Sequence, residues 1–169
     1  MRKVLFVLTL FLWPVVSSAQ EGQLAQIRKL YAEAKQAIED CKKAEIPLNE
    51  TVVTSDYMAP GAGPIKDVTH YFYSGEFDEN LGNVYYTPSF ITRKYNVGAR
   101  EYYEEMLFDK GSLVFFFMKS QNDETRYYWG AGGFFHEVVK GEKQMDEVFA
   151  ARLSNDLKDA FDKLMNREF

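Results

Sequence analysis

Across residues 48–139 the apolar side chains recur with a period of two, and on both sides of that stretch the period lengthens to that of a helix. Seven runs of β-forming residues lie in the middle region, at 51–54, 68–73, 84–97, 100–108, 112–120, 125–129 and 133–139. Short Gly-, Pro- and Asn-containing segments separate them. A parallel return needs a dozen or more residues, so strands this closely spaced can only pair antiparallel with their neighbours. The sequence therefore predicts an antiparallel β-meander of five to seven strands. Pro88 marks a bend or an exposed edge. Residues 59–64 form a Pro/Gly loop, and 75–83 a polar one.

An amphipathic helix is predicted on each side. At 21–44, Leu24, Ile27, Leu30, Tyr31, Ala34, Ile38 and Cys41 form one apolar stripe, with Lys42 and Lys43 in the last turn and Pro47 beyond it. At 144–166, Met145, Phe149, Leu153, Leu157, Phe161 and Leu164 form another. The fold class that follows is α+β: an N-terminal helix, the meander, and a C-terminal helix packed on the sheet, arranged in two layers.

One segment repeats within the meander. Phe108-Asp109-Lys110-Gly111-Ser112-Leu113 matches Trp129-Gly130-Ala131-Gly132-Gly133-Phe134, each an aromatic, two residues, a glycine, one residue and a large apolar side chain. Gly111 and Gly132 are expected to supply the positive φ of two hairpin turns.

The first nineteen residues read differently from the rest. Arg2 and Lys3 precede an apolar run to Trp13, which Pro14 interrupts before Ser17-Ser18-Ala19. This is the pattern of a cleaved export signal, followed by one domain over 20–169. The run is too short to span a bilayer, which needs about 20 apolar residues. Gln20 stands where a lipoprotein would carry its cysteine. The expectation is a soluble protein, secreted or periplasmic, with no membrane contact after cleavage. Removing Arg2 and Lys3 from 20 basic residues leaves 18 against 25 acidic, a net charge of −7. With no cluster of Lys and Arg, nucleic acid is not an expected partner. Cys41 is the single cysteine, so no internal disulfide forms; its place on the stripe reads as a small buried hydrophobe.

No motif assigns a catalytic residue, a cofactor or a metal. The two histidines, His70 and His136, sit in strands without helical metal spacing. Gly130, Gly132 and Gly133 open no helix and read as a turn. Residues 78–83 carry several oxygen ligands but place glycine fifth rather than sixth, which suits a polar turn better than a calcium loop. Asn49-Glu50-Thr51 matches a glycosylation acceptor, relevant only in a eukaryotic secretory route. Glu101, Glu104 and Glu105 share a strand. Paired carboxylates can hydrolyse sugars when held at a set separation, but three glutamates on a strand are expected on a surface or edge kept soluble by charge.

The aromatic load is the remaining signal. Tyr85-Tyr86, Tyr102-Tyr103 and Tyr127-Tyr128-Trp129 place adjacent rings on opposite sheet faces. One ring of each pair belongs to the core, and its neighbour is expected to face outward and bind a ligand, unless a helix covers that face too. In outline the chain resembles small exported proteins of unknown function from Gram-negative bacteria, a likeness of architecture that carries over no catalytic residue.

The expected function is a non-enzymatic binding module for a protein, peptide or glycan in the cell envelope, with Tyr85, Tyr86, Tyr102, Tyr103, Tyr127, Tyr128 and Trp129 as the ligand-binding residues. Two alternatives stand beside it. One is a small exported hydrolase using Glu101 or Glu105 with His70 or His136, which requires those groups to converge. The other is an inhibitor of an extracellular enzyme presenting the 59–64 loop.

Overall fold

The computed structural model describes residues 5–79 and 82–166, with side chains in the first helix described from residue 19 onward. Of the expected export signal, residues 1–4 lie outside the described residues and residues 5–18 are described in backbone only; Asn80 and Leu81 of the 78–83 loop also lie outside. Helix α1 (Leu5–Lys43) leads into seven strands: β1 (Glu50–Ala59), β2 (Gly63–Asp78), β3 (Asn83–Val97), β4 (Arg100–Asp109), β5 (Ser112–Ser120), β6 (Asp123–Gly130) and β7 (Gly133–Lys140). Helix α2 (Glu147–Met165) follows. The strands form one antiparallel sheet in sequential order, β1 to β7. Among the described residues no helix is long and apolar enough to cross a membrane.

The meander is as expected, but its arms are longer. The 59–64 loop is a tight turn closed by the Ala59–Gly63 pair, and most of the polar 75–83 segment continues the β2–β3 ladder to Asp78–Asn83. Cross-strand hydrogen bonding holds polar residues in strand conformation that their own propensity disfavours.

The two helices cover opposite faces, so the domain has three layers rather than two. Under α1 lies a row of directly paired residues, Phe72, Phe90, Leu107, Phe115, Tyr128 and His136. Ile27 is buried against the apolar members of this row, with Leu24, Leu30, Tyr31, Ala34 and Ile38 packed around them. The stripe read from the sequence is therefore the contact face, except that Cys41 at its end is only half-buried. Under α2, Tyr71, Ile91, Met106, Phe108, Phe116, Met118 and Tyr127 pack with Ala150 and Phe161. The Phe115-Phe116-Phe117 run is apolar throughout because consecutive side chains serve two cores.

On α2 the contact face departs from the sequence stripe. Ala150, Ser154 and Phe161 are buried, whereas Phe149 and Leu164 are 43% and 44% exposed. Residues four apart advance 400° around a helix, so a run of fours drifts about 40° per step away from a fixed face. The small Ala150 and Ser154 let the helix sit close to the sheet, and Ser154 returns its hydroxyl to the Ala150 carbonyl. Asp146 caps the start by accepting from the Phe149 amide at 2.7 Å.

The internal repeat is a structural one. In the β4–β5 hairpin the register shifts so that Val114 is the extra residue, and in β6–β7 Phe135 is the extra residue at the equivalent position. The β2–β3 hairpin at the same end of the sheet carries a third bulge at Ser89. Bulges increase local twist, so this end of the sheet is bent at three successive hairpins.

The turns use their glycines differently from the sequence expectation. Lys110 and Gly111 both have positive φ, 50° and 77°. This is the two-residue mirror-image turn that suits a hairpin. In β6–β7 the positive φ belongs to Gly133, at 97°, and not to Gly132. Gly130 serves close approach: a Cβ there would overlap the Gln23 side chain of α1.

Candidate functional site

Two carboxylates on the central strand organise the polar interior. β4 pairs on both sides, so Glu104 and Glu105 do not lie on an edge, and they are 0% and 1% exposed. The expectation of a solvated charged strand fails for them because the strand is fourth of seven and both faces are covered. Glu101, at the strand's start, remains exposed and pairs with Lys94.

Glu105 points toward α1. It accepts from the Tyr31 hydroxyl, from Lys35 Nζ at 2.7 Å and from the Tyr103 hydroxyl at 2.8 Å. Burial, and after it the charge of Glu105 and the hydrogen bond to it, push both tyrosine hydroxyls well above their ordinary range. Glu104 points to the α2 face, accepting from Tyr95 at 3.0 Å and from Arg93 Nη1 at 3.4 Å. Arg93 also grips Asp67, with Nε 2.9 Å from Oδ2 and 3.1 Å from Oδ1, and lies over the Tyr95 ring. Burial raises Glu104 above the usual carboxylate range, partly offset by Arg93. Each buried charge is met by an opposite charge and a tyrosine, the condition under which such a group is tolerated.

Beside Glu105, a cavity of about 200 Å³ opens between α1 and the sheet. His70, Thr92, Tyr103, Lys35 and Lys42 border it together with Glu105. His70 Nδ1 lies 2.7 Å from Glu50 Oε1. Thr92 pairs with His70 on one side and Glu105 on the other, so the two groups sit two strands apart, about 10 Å between backbones. They face one cavity without touching. His136, on β7, is five strands from His70, so the histidines do not meet. Among the described residues no group of three or more His, Cys, Asp or Glu is arranged to hold a metal.

The larger concavity is a groove at the bulged end of the sheet, about 1140 Å³. Its origin lies in strand length. β3 starts at Asn83 but pairs with β4 only from Phe90, so the β2–β3 arm projects past the β4–β5 turn with one edge free. The wall opposite is the last turns of α2. Tyr85, Tyr86 and Pro88 line the β3 side, Phe108, Lys110 and Gly111 the turn, and Lys158, Asp162, Lys163 and Asn166 the helix. Asn166 bridges the two: its amide donates to the Tyr86 carbonyl and accepts from the Tyr86 amide, both at 2.8 Å. That pair satisfies one residue of the free edge and fixes the groove's width.

The seven aromatic residues expected to bind ligand are not brought together. Tyr127 and Tyr128 are core residues under α2 and α1, 0% and 4% exposed, and present no ring to solvent. Trp129 is half-buried against Tyr127 and Phe134. Tyr102 stacks on Tyr95, while Tyr103 serves Glu105. Tyr85, 39% exposed, and Tyr86 are the pair that lines the groove. Sequence reading missed Arg93, Asp67 and Lys35, whose partners are 11 to 70 positions away, and the lysines of the groove, scattered over a turn and a helix. Nothing local marks such residues.

No family model matches the chain, and no curated protein or solved structure shows significant similarity to it.

Proposed function

We propose that this chain is an exported, non-enzymatic binding protein of the cell envelope, and that the groove between the β2–β3 arm and α2 holds an extended acidic ligand, peptide or glycan. The observation that carries this reading is the groove's lining. Tyr85 and Tyr86 of the sequence-derived set, which send their rings to opposite faces of β3, both border it, and three lysines, Lys110, Lys158 and Lys163, gather there with Glu76 and Asp162. Lysines gathered in one concavity of a net-negative chain favour an acidic ligand. Tyrosine rings stack on sugars or hold peptide side chains. The free edge of β3 suits an elongated partner.

The test is amide chemical-shift mapping with three probes: a polyglutamate peptide, an oligogalacturonate and neutral chitotetraose. Concentration-dependent shifts at Tyr85, Tyr86 and Lys158 with an acidic probe, lost in the Lys110→Glu/Lys158→Glu variant, support the reading. Shifts confined to other surfaces, or none with any probe, reject it.

A second reading, acid–base hydrolysis, rests on Glu105 and His70 facing the same cavity. Their spacing allows a small substrate or water to lie between them, but not direct proton exchange. Cleavage of chromogenic glycosides or esters that disappears in a folded His70→Asn variant supports it. The absence of cleavage removes it.

A further inference from the structure

The sheet is open, and its two edges are defended unequally. β7 carries His136 and Glu137 in its middle and ends at Lys140, with Lys143 folded back onto Glu137 at 2.9 Å. Charged residues at an edge, lysine above all, are the usual protection against further pairing. β1 is ten residues long and contains no Lys, Arg, Pro or Gly, its charged residues being the two acids Glu50 and Asp56. Its partner β2 takes the full length of one side in unbroken register, from Glu50–Phe72 to Ala59–Gly63, with no bulge to twist the edge away. Among its side chains Val52 is 50% exposed, Tyr57 49% and Met58 74%.

We infer that β1 is a self-pairing edge, and that two copies of this chain associate through antiparallel β1–β1 pairing about a two-fold axis at Ser55. Only an extended strand can satisfy a row of outward backbone groups, and β1 is complementary to itself in one register. In a symmetric antiparallel pair directly opposed residues share a face, so their numbers must sum to an even value. Pairing about Val53 sets Glu50 against Asp56 twice. Pairing about Asp56 opposes that acid to itself. Pairing about Thr54 places Val52 against Asp56. Pairing about Ser55 instead sets Val52 against Met58 on the α1 face and Val53 against Tyr57 on the α2 face. It also sets Thr51 against Ala59 and Asp56 against Thr54. Each exposed apolar side chain then meets an apolar partner, and no acid faces an acid. Such cross-strand pairs are the unit of sheet stabilisation. The product is a continuous sheet of fourteen strands with both α1 helices on the same face. This inference does not rest on the ligand groove, which lies beyond β3.

Sedimentation velocity on the chain over roughly 1 to 200 µM tests it, a range spanning the micromolar affinities of modest interfaces. The expected result is a concentration-dependent rise to twice the monomer mass. Two variants at the exposed positions then fix the register. Val52→Lys/Met58→Lys sets lysine against lysine at both contacts and is expected to be monomeric. Val52→Lys/Met58→Glu sets lysine against glutamate at both and is expected to restore the dimer. Far-ultraviolet circular dichroism verifies that each variant is folded. A native chain that stays monomeric throughout, or a Lys/Lys variant that dimerises as well as the Lys/Glu one, overturns the inference.

Discussion

Glu104 and Glu105 are neighbours on β4, yet their carboxylates are buried in different layers, one held by Arg93 and Tyr95 under the α2 face and the other by Tyr31, Lys35 and Tyr103 under α1. The period-two geometry of a strand sends consecutive side chains to opposite faces. Two helices therefore face two separate buried charges. Glu105 joins α1 directly to the centre of the sheet, across 74 residues of sequence to Tyr31.

Truncating Glu105 leaves Tyr31 and Tyr103 without an acceptor and Lys35 without its counter-charge. Glu105→Ala is expected to destabilise the fold by about 2–4 kcal/mol, and Tyr31→Phe, which loses a single hydrogen bond, by about 1 kcal/mol. Urea unfolding followed by tryptophan fluorescence measures both. If Glu105→Ala costs no more than Tyr31→Phe, the three-donor account of this carboxylate is wrong.

The pH dependence of stability should carry the signature of Glu104. Its folded-state value is raised above the ordinary 4.5 by burial. Between 4.5 and that raised value the folded chain keeps a proton that the unfolded chain has lost, so stability falls as pH rises through the window. Glu104→Gln removes this titration. The stability difference between the native chain and Glu104→Gln is therefore expected to move against the native chain on going from pH ~4 to ~8, as read by denaturant midpoints at each pH. A difference independent of pH contradicts the shift.

Alkaline titration should divide the tyrosines. Burial raises Tyr31, Tyr71, Tyr95, Tyr103 and Tyr127 above the ordinary 10.0. Their protonated forms are favoured in the folded state, so the stability they contribute is complete below pH 10 and is lost as the pH rises past it. The expected absorbance change at the phenolate band has an early phase from accessible tyrosines and a later, cooperative phase coincident with loss of far-ultraviolet ellipticity. A single non-cooperative phase for all tyrosines counts against their burial.

Three glycines near the hairpin tips separate by conformation. Gly111 and Gly133 hold positive φ, so alanine at either is expected to cost about 1 kcal/mol. Gly132 has no positive φ and open space around its Cα, so Gly132→Ala is expected to be neutral or to stabilise by about 0.5 kcal/mol. Thermal unfolding of the three variants ranks them. Equal losses at Gly132 and Gly133 contradict the turn geometry.

The two phenylalanines of the α2 stripe should behave unequally. Phe161 is fully buried against Tyr71 and Tyr73, whereas Phe149 is largely at the surface. Phe161→Ala is expected to cost about 3–5 kcal/mol and Phe149→Ala about 1 kcal/mol or less. Chemical denaturation of both variants decides whether the contact face runs through Ala150, Ser154 and Phe161.

The elements of this fold were legible wherever the physics is local. Ser112–Ser120 was predicted to the residue because alternation and flanking turn residues act within a few positions. The α1 stripe from Leu24 to Ile38 was legible for the same reason, as was the Lys110-Gly111 turn. The polar extension of β2 to Asp78 was not, since residues there are strand only because β3 lies beside them. Tyr85 and Tyr86 were legible as candidate binding residues, and both line the groove. The other wall was invisible, because Lys158, Asp162 and Asn166 meet them only through the crossing of α2.

Period and turn chemistry, both properties of neighbouring residues, determined by sequence alone that this chain forms two helices around a sequential antiparallel meander. Tertiary structure decided which face each helix covers, and with it the fate of every alternating aromatic pair. Tyr127 and Tyr128 became core on both sides, Glu104 and Glu105 became buried anchors, and unequal arm lengths opened the groove. Those outcomes depend on contacts between segments tens of residues apart, whose closure is set by packing and desolvation rather than by any local pattern.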